Sequence, residues 1–127
     1  MDTPAVASWV ERYVRAWKSN APADVGALFA ADARYYQRPD EEPWRGRAGI
    51  VAAWLEHKDE PGNWTFRFEV LGTNGDLAFV RGWTRYQDPP AHYGNLWVLR
   101  FDTAGKCAEF TEWWMEARSA EPGADSR

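Results

Sequence analysis

Arg81 is the residue whose company first suggests chemistry. From residue 64 onward Trp64, Phe66, Phe68 and Val70 alternate with Thr65, Arg67, Glu69 and Leu71, the period-2 pattern of a half-buried strand. Asn74-Gly75 then offers a two-residue hairpin loop. With Thr73 facing Asp76, Val70 falls opposite Phe79, Phe68 opposite Arg81 and Phe66 opposite Trp83. Opposed residues share a face, so Arg81 is expected on the apolar face of a sheet, among aromatic rings. A guanidinium there would grip a carboxylate or an oxygen on which negative charge develops.

The last two strands supply a carboxylate. A two-residue turn at Thr103-Ala104 sets Trp97 opposite Phe110, Asn95 opposite Glu112 and Tyr93 opposite Trp114. Asn95 and Glu112 then share a face, although alternation does not choose which one, because Thr111, Trp113 and Met115 make the other side mixed as well. Two outcomes are open for Glu112. Desolvated among indoles, its carboxyl would have a raised pKa and suit general acid or base work. Paired to Arg81, it would be held ionised and would serve to satisfy a buried charge.

These residues need elements to hold them. Thr3-Pro4 offers a helix cap followed by proline at the first helical position, and Val6, Trp9, Val10, Tyr13, Val14 and Trp17 recur at helical spacing behind it. Pro22 opens a shorter helix through Phe29 that buries Val25, Leu28 and Phe29. Residues 33–38, with Tyr35 and Tyr36, read as a short strand ended by Pro39, and residues 40–46 as a polar loop. A third helix follows over residues 47–58 through Ile50, Val51, Trp54 and Leu55. After Pro61-Gly62 the pattern turns to strands, at residues 63–73, 76–87, 92–102 and 106–117. The fold class expected is α+β: three N-terminal helices packed on a strongly curved, mainly antiparallel sheet. One short strand precedes helix 3, and a four-stranded meander after it closes a cone. Residues 1–118 form one domain, and the tail 119–127 is expected to be disordered.

Composition narrows the function. A chain of 127 residues suits one core. The net charge of -4 and the lack of a basic stripe argue against nucleic acid as a partner. No apolar run approaches the ~18 residues of a membrane span, and no basic-then-apolar leader opens the chain, so a cytoplasmic protein with no membrane partner is expected. The single cysteine, Cys107, excludes an internal disulfide and a cysteine zinc cluster. No His, Cys and carboxylate cluster has ligand spacing, so neither metal nor cofactor is expected. Nine tryptophans exceed the needs of a core this size; ordinary packing accounts for several, and the rest suit a pocket for a planar ligand or an oligomer interface.

The element order, together with Arg12-Tyr13-Val14, the run 27–33 (Ala-Leu-Phe-Ala-Ala-Asp-Ala), the run 44–50 (Trp-Arg-Gly-Arg-Ala-Gly-Ile) and the closing hairpin 99–106, resembles the nuclear transport factor 2-like superfamily. The closest likeness is to its SnoaL-like, polyketide cyclase-like branch, over residues 5–117. The resemblance specifies fold more than activity, since the superfamily holds isomerases, dehydratases, epoxide hydrolases, cyclases and members without chemistry. Tyr13 matches the helix-one tyrosine of the steroid isomerase oxyanion hole. Gln37 stands near that branch's general base, and Trp97 at its second oxyanion donor, so two of three parts are missing. The epoxide hydrolase pattern pairs arginine with aspartates, and Trp83 stands where a carboxylate would be wanted beside Arg81. His57 and His92 match no dehydratase histidine and are expected at the surface or at caps.

Family phasing points Trp97, Leu99, Phe110, Glu112 and Trp114 into the cavity. The resulting expectation is a cofactor-independent enzyme in which Glu112 moves a proton while Arg81, Asn95 and Tyr13 hold an oxygen. Trp17, Tyr35, Gln37, Trp54, Phe68, Trp83, Trp97, Phe110 and Trp114 would line a site for a small, apolar, ring-containing substrate. The alternatives are a ligand-binding module without turnover, or an interaction domain that homodimerises through an outer sheet face bearing Thr84, Tyr86, Arg100, Glu109 and Trp113.

Overall fold

The computed structural model describes residues 1–118, so the expected disorder of 119–127 lies outside the described residues. The elements run α1 (Thr3–Ser19), α2 (Pro22–Gly26), β1 (Phe29–Tyr36), β2 (Trp44–Arg45), α3 (Gly46–Glu56), β3 (Trp64–Asn74), β4 (Leu77–Gln87), β5 (Pro90–Phe101) and β6 (Cys107–Ala117). The strands form one sheet in the order β2-β1-β6-β5-β4-β3. β1 and β6 run parallel and the other pairs antiparallel. Three helices packed on this curved, mixed sheet make an α+β fold, as the sequence leads one to expect. Among the described residues no helix is long and apolar enough to cross a membrane.

α1 buries the stripe Val6, Trp9, Val10, Tyr13 and Ala16. Its cap is Asp2 rather than Thr3, since the Asp2 carboxylate accepts from the Ala5 N–H at 3.0 Å. At the other end Asn20 takes a left-handed conformation (φ 51°) and its N–H bonds to the Ala16 carbonyl, a role for which asparagine is tolerated. α2 stops at Gly26, short of Phe29. Phe29 instead begins β1 beside Cys107, because a ladder partner far along the chain outweighs a weak local helix preference. Trp44–Arg45, expected in a loop, pairs with Tyr35 and Arg34 as an edge strand.

The β3–β4 hairpin corrects the expectation for Arg81. Asn74 pairs with Leu77, which leaves Gly75 and Asp76 in the loop. Gly75 has φ 62°, the positive value that the first loop position of a hairpin requires. Leu71 is then an extra residue: Gly72 pairs with Phe79 but Val70 with Val80. This β-bulge changes the parity of the register. Phe68 therefore faces Gly82 and Phe66 faces Thr84, while Phe79, Arg81 and Trp83 turn to the outer face. Gly82 is needed inside, because a Cβ there would lie 2.5 Å from Cε1 of Phe66.

In the β5–β6 hairpin the turn is longer than two residues. The Asp102 carboxylate accepts from the Ala104 and Lys106 N–H groups, both at 2.9 Å, and Gly105 has φ 80°. Trp97 accordingly pairs with Glu112, Asn95 with Trp114 and Leu99 with Phe110. A displacement of two residues preserves the face. Asn95, Trp97, Glu112 and Trp114 all point toward the helices.

Candidate functional site

Between α1, α3 and the inner face of the sheet lies a cavity of about 360 Å³, within the usual range of ligand pockets. Its walls are aromatic. Tyr13 stands at the centre, with its ring 4.6 Å from Trp97, 5.0 Å from Trp54 and 6.1 Å from Trp17, at interplanar angles of 53°, 59° and 79°. Helical spacing sets Tyr13 and Trp17 on one face of α1, and strand alternation delivers Trp97 from β5.

Glu112 is the acid of this cavity. Its Oε2 accepts a 2.6 Å hydrogen bond from Asn95 Nδ2, and the Asn95 carbonyl accepts from the Thr84 hydroxyl at 2.8 Å. Thr84 is buried. The hydroxyl thus orients the amide, and the amide presents its N–H to the carboxylate. Burial pushes the Glu112 carboxyl from its ordinary 4.5 up to about 7, against the opposing pull of the Asn95 N–H and the nearby Trp97 indole.

The Tyr13 and Tyr35 hydroxyls lie 2.6 Å apart. Burial raises both phenols well above their ordinary value of 10, so each keeps its proton at neutral pH. One hydrogen bond uses one of the two protons. The other remains available to an oxygen in the cavity. Toward the mouth, Asp59 Oδ2 accepts from Trp17 Nε1 at 3.0 Å and from the Tyr86 hydroxyl at 2.9 Å, while Asn20 joins Trp54 Nε1 to the Asp59 carbonyl.

The profile of the SnoaL-like domain matches residues 10–117. The chain belongs to the SnoaL-like family. Among solved structures, this SnoaL-like domain is similar to a candidate ketosteroid isomerase from Kribbella flavida, with TM-score 0.69, 22% identity, and coverage of 97% of this chain and 87% of that one. An NTF-2 like protein from Burkholderia xenovorans superposes with TM-score 0.71 at 18% identity, over 94% and 89% of the two chains. An LEH-like epoxide hydrolase from M. tuberculosis does so with TM-score 0.63 at 15% identity, over 89% and 84%. At such identities the likeness is one of fold. Among curated sequences, none matches the chain significantly.

The SnoaL-like domain brings Tyr13, Asn95 and Glu112 to one cavity, with Trp17, Tyr35, Gln37, Trp54, Trp97 and Trp114 on its walls. Four expected residues are elsewhere. Arg81 and Trp83 line a separate groove on the outer sheet face, where Arg81 meets Glu69 at 3.9 Å with half its side chain exposed and stacks over Trp83 at 4.8 Å. Phe110 is fully buried behind the wall and Phe68 packs against the core. With Arg81 outside, the ion-paired alternative for Glu112 falls away, and burial is the largest influence on its carboxyl. Thr84 and Tyr86, expected on the outer face, point inward by the same bulge.

Sequence reasoning missed Trp44, Lys58, Asp59 and Tyr93, which also border the cavity. Trp44 arrives through the edge strand and stacks on Tyr35 at 4.7 Å. Asp59 follows α3 in a short loop, and no periodicity links it to Trp17, 42 residues earlier. His57 takes the C-cap position of α3 and stacks on Trp44 at the mouth. His92 faces the outer groove. Among the described residues no group of three or more His, Cys, Asp or Glu is placed to hold a metal ion.

Proposed function

We propose that this SnoaL-like protein is a cofactor-independent enzyme that moves a proton on a small, largely apolar, ring-containing substrate. Glu112 is the general acid and base. The observation that carries this reading is a carboxyl raised to about 7 and hydrogen-bonded at 2.6 Å by an oriented amide, on the wall of an aromatic cavity. An acid whose pKa lies near the working pH both takes and returns protons efficiently. As a proton leaves the substrate, the spare hydroxyl proton of the Tyr13–Tyr35 pair donates to the oxygen that gains negative charge. Isomerisation, dehydration and cyclisation can each use these two parts, and hydrolysis uses them with water as the nucleophile whose proton Glu112 takes. Relatives of this fold include proteins described as a candidate ketosteroid isomerase and an epoxide hydrolase, which supports chemistry of that class.

The test is turnover of a panel of ring ketones, epoxides and hydroxylated rings by the wild type and Glu112→Gln. The variant should lose roughly 10²–10⁴-fold in kcat while KM changes little, and the wild-type rate should bend near pH 7. Undiminished turnover by the variant refutes the assignment. Binding with no turnover in either form identifies a ligand-binding module instead.

We also propose that two copies associate through the outer sheet face. Leu71, Leu96, Trp113 and Met115 are 55%, 37%, 51% and 69% exposed and border one groove there, and exposed apolar side chains gathered on one face suit a protein–protein contact.

A further inference from the structure

We propose that the ligand of the inner cavity is a cation, a protonated or quaternary amine carried on an apolar ring. The proposal rests on the inner cavity being the functional site and names the class of molecule it accepts.

Two carboxylates serve this cavity. Glu112 and Asp59 are both partly buried, and the hydrogen bonds they accept come from the neutral donors Asn95, Trp17 and Tyr86. Neutral donors orient a carboxylate without cancelling its charge. The basic side chains on the lining, Lys58 and His57, are exposed at the mouth. A ligand that entered as an anion would meet like charge in a site of low dielectric. One that entered neutral would leave Glu112 either protonated or uncompensated. A cation compensates it.

The walls favour the same ligand. The cavity lining includes rings inclined at 53° to 79° to Tyr13 and the stacked pair Tyr35 and Trp44. The faces of aromatic rings carry negative potential and attract cations, most strongly when water is excluded. A carboxylate beside aromatic rings on one cavity wall is a combination that holds a substituted ammonium group, while the remaining rings accept the apolar part.

Binding and protonation are then linked. The titratable groups lining the cavity with Glu112 are Tyr13 of α1, Tyr35 of β1 and Tyr86 of β4, all with raised phenol values, Tyr93 of β5, and His57, Lys58 and Asp59 toward the mouth. The raised phenols stay neutral, and the Glu112→Gln comparison separates the charge change of Glu112 from that of the groups at the mouth. Because its carboxyl titrates at about 7, a cation that needs it ionised should displace roughly half a proton at neutral pH.

Calorimetry with benzyltrimethylammonium, its neutral isostere neopentylbenzene and the anion phenylacetate tests this in the wild-type protein. At about pH 8 the cation should bind at least tenfold more tightly than the isostere, with phenylacetate weakest. The affinity should fall as pH drops below 7, and heats in two buffers should report proton release. Glu112→Gln should remove the pH dependence and most of the preference. Equal or tighter binding of the isostere overturns the proposal, as does no binding of the cation at millimolar concentration. A neutral ring compound turned over through Glu112 and not displaced by benzyltrimethylammonium would overturn the cationic class and leave the acid–base assignment standing. Cation binding without any Glu112-dependent turnover would do the reverse.

Discussion

Replacing Glu112 by glutamine should make the protein more stable, and by an amount that depends on pH. A carboxyl carried from 4.5 unfolded to about 7 folded is a group whose charge the fold resists. Below the unfolded value both states are protonated and the carboxyl costs nothing. Between the two values the native state holds a proton that the unfolded state has released, so stability falls as pH rises. Above the folded value the loss is complete, roughly 3 kcal/mol at ~1.4 kcal/mol per pH unit. Glutamine has nearly the same shape and no charge. Its amide meets Asn95, which can turn over because the Thr84 hydroxyl that now donates to it can equally accept. Urea denaturation of wild type and Glu112→Gln from about pH 4 to pH 8.5 should therefore give curves that nearly coincide at the acid end. The variant should become the more stable by roughly 3 kcal/mol at the alkaline end. Taking the difference between the two proteins cancels every other titrating group. A difference that stays flat across this range, or a variant that is the less stable at high pH, would refute a desolvated Glu112.

Other perturbations probe the neighbours. Thr84→Val removes the donor that orients Asn95 and should cost about 1–2 kcal/mol; it should also move the Glu112 titration, followed by NMR, upward as the amide loses its preferred orientation. Gly82→Ala puts a methyl 2.5 Å from the Phe66 ring, which stacks 5.1 Å from Trp97, so a loss of about 1–3 kcal/mol is expected in chemical denaturation. Trp113→Ala should shift sedimentation toward the monomer with little change in secondary structure, and an unchanged profile removes Trp113 from the interface.

The legible features were those set by local periodicity. The α1 stripe, the four-strand meander and the placing of Asn95 and Glu112 on one face all rest on spacings of 3.6 or 2 that survive small errors. The β5–β6 register was displaced by two residues, and the face held. The β3–β4 register contained one bulge, and the face of Arg81 did not. The same single residue, Leu71, concealed that Thr84 and Tyr86 belong to the cavity. Phe29 and Trp44 were misjudged because their strand partners, Cys107 and Tyr35, reach them through tertiary pairing.

Sequence alone determined the class of the fold and the presence of an acid among aromatics, since hydrophobic period and residue type are written in the chain. Tertiary structure decided whether that acid has a cationic partner. A strand's alternation gives relative sides, but one inserted residue exchanges them, and the consequence is electrostatic. With Arg81 inside, Glu112 would be a bound anion; with Arg81 outside, burial raises it to about 7, and the cavity is left with a carboxylate that needs a proton or a cation.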